Sequence, residues 1–296
     1  MVPYLHVLPK GKRMEKEFGE IPVGTSGKTA IEVARSAAIK AGQILLEKFL
    51  HVERITFKGR GNIVTEVDME VQEEIFGILA SEFPEMKLLG EESPGEKADC
   101  GYVWIVDPLD GTRNYASGIP FFSTVVGLAL DGEVLVGVNY DPKRNEMFEA
   151  EKGKGAFLNQ RPIEISNKKA IKDAVIGMDM SYDEQGAMNG FEVIESIWPE
   201  MQTVRIMGSS ALGISYAAAG RTDLYFNHQL SPWDQVAGIL LVREAGGIIT
   251  DRAGKKAGVY SDGLVASNRT LHQEFMNRTE GMNWRKTRGT KNQKTP

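Results

Sequence analysis

The sequence predicts a layered α/β (α+β) fold. Apolar residues recur at helical spacing in some segments and run without interruption in others. Helical and strand-like stretches alternate along the chain, with no internal repeat at a fixed period. The 296 residues, 42 % hydrophobic and 25 % charged, suit one large domain or two medium ones.

Residues 1–26 read as an N-terminal arm, because Pro3, Gly11, Gly19, Pro22 and Gly24 interrupt any period. Ile31, Ala34, Ala38, Ala41 and Leu45 then mark an amphipathic helix within Gly27 to Leu50. A glycine-rich stretch, Lys58-Gly-Arg-Gly-Asn62, leads to Thr65-Glu-Val-Asp68, and a second helix spans Met69 to Phe83, ending before Pro84. Tyr102 to Asp107 is an apolar run that stops at an acid and Pro108, as a buried strand does. Ser123 to Glu149 is β-rich, with turns at Asp131-Gly132 and Asp141-Pro142. Val175 to Met180 reads as a strand. Ser209 to Ala219 (helix), Asp223 to Phe226 (strand), Asp234 to Ala245 (helix) and Gly246 to Thr250 (strand) follow. The body thus runs from 27 to 280. The last stretch, 281–296, has five basic residues, no acid and little apolar content, and is expected to be a disordered tail.

Net charge is −5, so removing the +5 tail leaves −10 on residues 1–280. An acidic body argues against general nucleic-acid binding. Cys100 is the single cysteine, which excludes an internal disulfide and a cysteine-based metal site and favours a reducing, cytoplasmic setting. No apolar run approaches the length of a membrane helix, and no signal peptide is expected.

Four short stretches place acids where the backbone turns: Thr65-Glu-Val-Asp68, Gly90-Glu-Glu-Ser93, Asp107-Pro-Leu-Asp-Gly-Thr112 and Pro232-Trp-Asp234. Singly, each has a plain structural explanation. Asp68 and Asp234 can cap helices, Asp110-Gly111 is an ordinary turn pair, and Glu91 and Glu92 can be solvated. The Asp107–Thr112 stretch says more. A strand delivers Asp107 at its carboxyl end, Asp110 follows three residues on, and Gly111 and Thr112 expose amides that suit a phosphate. Carboxylates beside an anion need a cation between them, and hard oxygen ligands favour Mg²⁺.

Trp104-Ile-Val-Asp-Pro-Leu-Asp-Gly-Thr-Arg-Asn-Tyr115 resembles the first signature of the inositol monophosphatase family, and Trp233-Asp-Gln-Val-Ala-Gly to Gly247 resembles the second. The other two acidic motifs fall in the family's order, and the resemblance covers about residues 28–275. It implies an αβαβα sandwich of the inositol monophosphatase and fructose-bisphosphatase type, a homodimer, and hydrolysis of a phosphate monoester with two to three Mg²⁺ ions. It divides the body into a metal-binding part, 27–150, and a substrate-binding part, 151–280. By the resemblance, Glu91, Asp107 and the Leu109 carbonyl hold one metal, and Asp107, Asp110 and Asp234 a second. A third, weaker metal sits near Glu91, with Asp68 reached through water. Thr112, near Asp68, positions and deprotonates the attacking water, and the Gly111 and Thr112 amides grip the phosphate. Inhibition by lithium is expected. Metals neutralise the charges and stabilise the leaving alkoxide, so no histidine base or covalent nucleophile is required.

Substrate contacts are expected from Asp110, Asp234, Ser181, Ser209 and Ser210, the serines also being ordinary turn and capping residues. Asn227 departs from the resemblance, since inositol-selective members carry a carboxylate seven residues before the metal-binding acid. An amide bonds hydroxyls but adds no charge, and Asn227 is equally readable as a structural bond partner near a dimer contact. Other sugar or polyol phosphates, histidinol phosphate and adenosine bisphosphate-type nucleotides are therefore also candidate substrates. Lys58 is expected near the site on a mobile glycine loop, or solvated on a turn. Gly24 to Thr29 lacks the first glycine and the strand of a P-loop. The four histidines show no metal-ligand spacing, and no Gly-x-Ser-x-Gly elbow appears. A second class of function is a regulatory partner of transcription machinery, with the basic tail touching RNA or protein.

Overall fold

In the first helix, Thr29 and Glu32 form a capping box, with Thr29 N–H donating to the Glu32 carboxylate at 2.8 Å. That helix, α1 (Ala30–Lys48), buries the stripe Ala34, Ala38, Ala41 and Leu45. The computed structural model describes residues 21–51, 54–59, 62–93 and 100–286. A hairpin of β1 (Ile55–Gly59) and β2 (Asn62–Thr65) leads into α2 (Glu66–Glu82). This helix starts three residues before the expected Met69, because Thr65 rather than Asp68 is its cap.

Next come β3 (Lys87–Gly90), β4 (Tyr102–Asp110), the short α3 (Thr112–Ala116), β5 (Ser123–Leu130) and β6 (Glu133–Asp141). The run continues with β7 (Glu146–Glu151), β8 (Ala156–Leu158) and β9 (Arg161–Pro162). The strands β3 to β9 form one sheet in sequence order, parallel at β3–β4 and antiparallel beyond. The second half contains β10 (Val175–Met178), α4 (Glu184–Ile197), β11 (Thr203–Ile206), α5 (Ser210–Ala218) and β12 (Leu224–Asn227). It closes with α6 (Pro232–Glu244), β13 (Ile248–Thr250), β14 (Leu264–Ser267) and α7 (Arg269–Arg278). The order of this second sheet is β11-β10-β12-β14-β13.

Three apolar clusters define five layers. Leu45, Val71 and Ile75 of α1 and α2 pack on Trp104 and Val106 of the first sheet. Val103 and Ile105, on the opposite face, meet Leu212, Val236 and Leu240 of α5 and α6, which also cover Tyr225 and Leu264 of the second sheet. Val193 of α4 and Phe275 of α7 close its outer face over Ile176 and Phe226. The αβαβα sandwich is therefore the observed architecture. Because α5 and α6 lie between the sheets, the parts 27–150 and 151–280 share one core layer.

The C-terminal end differs from expectation. Trp284 is fully buried, edge-on to Phe226 and Phe275 at 5.4 and 5.7 Å. Arg252 Nη1 donates to the carbonyls of Trp284 (2.8 Å) and Lys286 (2.9 Å). The expected disordered tail is thus packed as far as Lys286, and 287–296 lie outside the described residues. Of the arm, residues 21–26 lie on the end of α2, where Thr25 Oγ1 donates to Ser81 O at 3.0 Å. Residues 1–20 lie outside the described part, as does the side chain of Lys58.

Candidate active site

The strand β4 runs three residues past the expected end at Asp107, and its register with β5 slips between Asp107 and Asp110. The irregularity turns Asp107 and Asp110 toward one point. Parallel pairing sets Gly90 of β3 beside Val106, so the next residue, Glu91, leaves its strand level with Asp107. Gln72 of α2 holds this corner: it accepts Glu92 N–H and donates to Ser93 Oγ, both at 2.9 Å. A Cβ on Gly90 would collide with Gln72, so the motif's glycine is a packing requirement.

Asp68 and Asp234 occupy equivalent places, the third position of α2 and of α6. Each returns its carboxylate to the cap backbone, at 2.7 Å to Thr65 N–H and 2.6 Å to Ser231 N–H. The acids are locked by their own helix starts and still face the site. Ligand oxygens of Asp107, Asp110 and Asp234 lie within 4.8 Å of one another. Glu91 is outside that trio, and its charge is felt by both Asp107 and Asp234.

Burial, then the charges of Glu91, Asp110 and Asp234, holds the Asp107 carboxyl well above the usual range. Burial, then Glu91 and Asp110, does the same to Asp234. Burial pushes Asp110 up to about 7, against hydrogen bonds from Ser209, Ala211 and Ser210. Asp68 is pushed up to about 6 by burial, opposed by its bonds from Thr65. Carboxylates so close resist joint ionisation without a cation. Their hard oxygens fit a divalent ion of the Mg²⁺ type, with Asp107, Asp110 and Asp234 as the ligand set and Glu91 alongside.

Gly111, the cap of α3, has φ +90°, and a Cβ there would lie 3.0 Å from Phe121 O. Thr112 Oγ1 lies 2.9 Å from Leu109 O and 3.3 Å from Asp68 Oδ1, so this hydroxyl joins the two motifs. Asn114 Nδ2 reaches Phe121 O (2.9 Å) and Met207 O (2.7 Å), tying the first sheet to the loop before α5.

A cavity of about 780 Å³ opens beside the trio, lined by Asp110, Gly111, Thr112, Ser181, Ser210, Asn227 and Asp234 among others. Ser209 does not line it. Its buried hydroxyl caps α5 and bonds the Asp110 carboxylate, so it holds one acid of the trio rather than facing the cavity. Asn227 is buried and engaged: Nδ2 bonds Ser210 Oγ and Tyr225 Oη at 3.2 Å each, and Oδ1 accepts Gln229 N–H. Ser181 Oγ lies 3.5 Å from Gln229 Oε1 at the rim. Gln72, Asn114 and Asp179 were not foreseen as site residues. The Asn114 and Asp179 contacts reach across about ninety and about thirty positions, respectively.

A model of the inositol monophosphatase family matches residues 28–282. The chain belongs to this family. It is accordingly a phosphoric monoester hydrolase, and the family's metal dependence matches the acidic trio. It is 36 % identical over 250 residues to an inositol-1-monophosphatase of Mesorhizobium japonicum, covering 83 % of this chain and 94 % of that one. It is 34 % identical to the Nus factor SuhB of Pasteurella multocida, over 84 % of this chain and 95 % of the relative. The solved extragenic suppressor protein suhB of Bartonella henselae superimposes with a TM-score of 0.80 at 34 % identity, covering 84 % and 98 %.

Proposed function

We propose that this chain hydrolyses a sugar or polyol phosphate monoester, inositol monophosphate or a close analogue, with Mg²⁺ at the acidic trio. The observation that carries the reading is the convergence of Asp107, Asp110 and Asp234 within 4.8 Å at the edge of a 780 Å³ cavity. When bound there, Mg²⁺ supplies charge neutralisation, an acidified water and a stabilised leaving oxygen. Glu91 and the Leu109 carbonyl complete the candidate ligand set.

The chain's own groups do the rest. The Gly111 and Thr112 amides orient the phosphate from the start of α3. Thr112 Oγ1 holds a proton between Leu109 O and Asp68. Asp68, at about 6, accepts a proton near neutral pH. Ser210, Ser181 and Asn227 face the leaving group with hydroxyls and an amide, which suits a polyhydroxylated alcohol. Among the described residues, Arg113 is the one lysine or arginine that lines the cavity, so a cation has the main part in meeting the phosphate charge. Like the inositol-1-monophosphatase relative, the chain is placed by this reading among small-ester phosphatases. Homodimer assembly, lithium inhibition and a cytoplasmic setting go with the same reading. No helix among the described residues is long and apolar enough to cross a membrane.

Phosphate release with Mg²⁺ is measured over inositol, sugar, histidinol and nucleotide phosphates. One polyol ester at least about tenfold above the rest in kcat/KM supports the reading, and a nucleotide in that place replaces it. A regulatory role is the second reading, favoured by the relative named Nus factor SuhB. It predicts steeply salt-dependent RNA binding that is lost on removing 287–296.

A further inference from the structure

Asp179 stands outside the acidic trio, and nothing in the chemistry above uses it. It follows β10, is 7 % exposed, and turns both carboxylate oxygens to protein donors. Oδ1 accepts the N–H of Met207 at 3.1 Å and of Gly208 at 2.6 Å. Oδ2 accepts the Tyr225 hydroxyl at 2.9 Å. Asn114 grips the opposite side of the same loop, its Nδ2 lying 2.7 Å from Met207 O and 3.3 Å from Gly208 O. Gly208 itself is at φ +79°, and a Cβ there would lie 3.0 Å from the Asn114 amide. Neither peptide of this loop can tilt without losing a part-buried bond, and bonds to an ionised acceptor are the stronger kind.

The residues that follow the loop are those that hold Asp110. Ser209 donates its hydroxyl to Asp110 Oδ2, Ala211 N–H lies 3.1 Å from the same oxygen, and Ser210 N–H lies 3.2 Å from Oδ1. The direction in which Asp110 faces is therefore set by three donors whose own position depends on the Met207–Gly208 turn.

We propose that Asp179 is a positioning residue for the phosphatase reaction: it fixes the Met207–Gly208 turn, and through it the donors that orient Asp110 toward a divalent cation. The proposal rests on the reading that Asp110 is a cation ligand. An outer partner of this kind acts on metal affinity and turnover more than on substrate affinity.

The full-length protein and its Asp179→Ala variant are compared by calorimetric Mg²⁺ titration without substrate, and by phosphate release from myo-inositol 1-phosphate. Mg²⁺ affinity and kcat are each expected to fall about tenfold or more. KM is expected to change less than Mg²⁺ affinity and kcat, because Ser210 alone of the leaving-group contacts follows directly on the loop. Asp179→Asn keeps an Oδ1 that accepts both loop amides, and is expected to recover to within about threefold of the parent. If Asp179→Ala does not fold, Tyr225→Phe carries the titration; it removes one donor from Oδ2, and an affinity loss of about threefold or more is expected. Mg²⁺ affinity within about twofold of the parent in the folded variant overturns the proposal. So do equal losses in Asp179→Ala and Asp179→Asn. A parent that binds no Mg²⁺ overturns the functional reading and the proposal together, whereas a Mg²⁺-binding, active parent with an unaffected variant overturns the proposal alone.

Discussion

Raising the pH of the cation-free protein from 6.5 to 8 is expected to destabilise it, and Mg²⁺ is expected to cancel the loss. Asp110 lies at about 7 in the folded chain, and Asp107 and Asp234 are held well above the ordinary aspartate value of 3.8. Each folded-state pKa is raised, so over this range the folded chain holds protons that the unfolded chain has released. Stability then falls as pH rises. His272 works the other way, because burial and the Arg285 charge hold it down to about 4. Its contribution rises with pH toward its ordinary value of 6.5 and is nearly flat above, which is why the window starts there. One proton retained by the trio across these 1.5 units is worth about 2 kcal/mol. For a chain of this size that is a fall in Tm of about 4–8 °C. Mg²⁺ at about a hundred times its Kd restores about 2.7 kcal/mol and flattens the profile. The assay is thermal unfolding at constant ionic strength, in chelator and in Mg²⁺, at half-unit steps of pH. A Tm in chelator that is level or rising across the window refutes the reasoning. So does a profile that Mg²⁺ leaves unchanged.

Gly111→Ala places a Cβ in the left-handed region and 3.0 Å from Phe121 O. A loss of about 1–2 kcal/mol from the backbone alone is expected in chemical denaturation, together with a fall of about tenfold or more in kcat/KM as the phosphate-facing amide shifts. Ending the chain before Gly281 removes Trp284 from its aromatic pocket and the carbonyl partners of Arg252. About 3–5 kcal/mol of stability should go with it, whereas ending it after Lys286 should leave Tm nearly unchanged. Equal melting curves for the two truncations would contradict the packing described for this segment.

What the sequence made legible is local. Asp107 and Asp110 stand three residues apart at the end of an apolar run, and both lie in the trio with Asp234. The alternating patterns implied a layered α/β fold and the family resemblance its five layers, yet several elements left no clear trace. The strand β3 is four residues long, and α7 exposes much of its surface while burying Leu271 and Phe275. The helix α4 buries only a narrow apolar stripe, Val193 and Ile197. The plain structural alternative for Asp68 and Asp234 is that they cap their helices. The caps are Thr65 and Ser231, and each acid sits three residues in, a distinction that turns on which side chain reaches the first amides. The role of Ser209 was illegible for a different reason, because its partner Asp110 is 99 positions away. Trp284 lies in a polar, basic stretch, and only the tertiary structure supplies the aromatic neighbours that bury it.

The proposed function requires the Asp107 carboxylate, at the middle of the acidic cluster, for divalent-cation-dependent hydrolysis of a phosphate monoester. Phosphate release by the parent and by Asp107→Asn, measured across a Mg²⁺ titration with folding checked by circular dichroism, tests it most directly. Mg²⁺-dependent turnover is expected in the parent, and a rate lower by about a thousandfold or more in the folded variant, about 4 kcal/mol in activation free energy. Near-parent turnover by Asp107→Asn at saturating Mg²⁺ would contradict it.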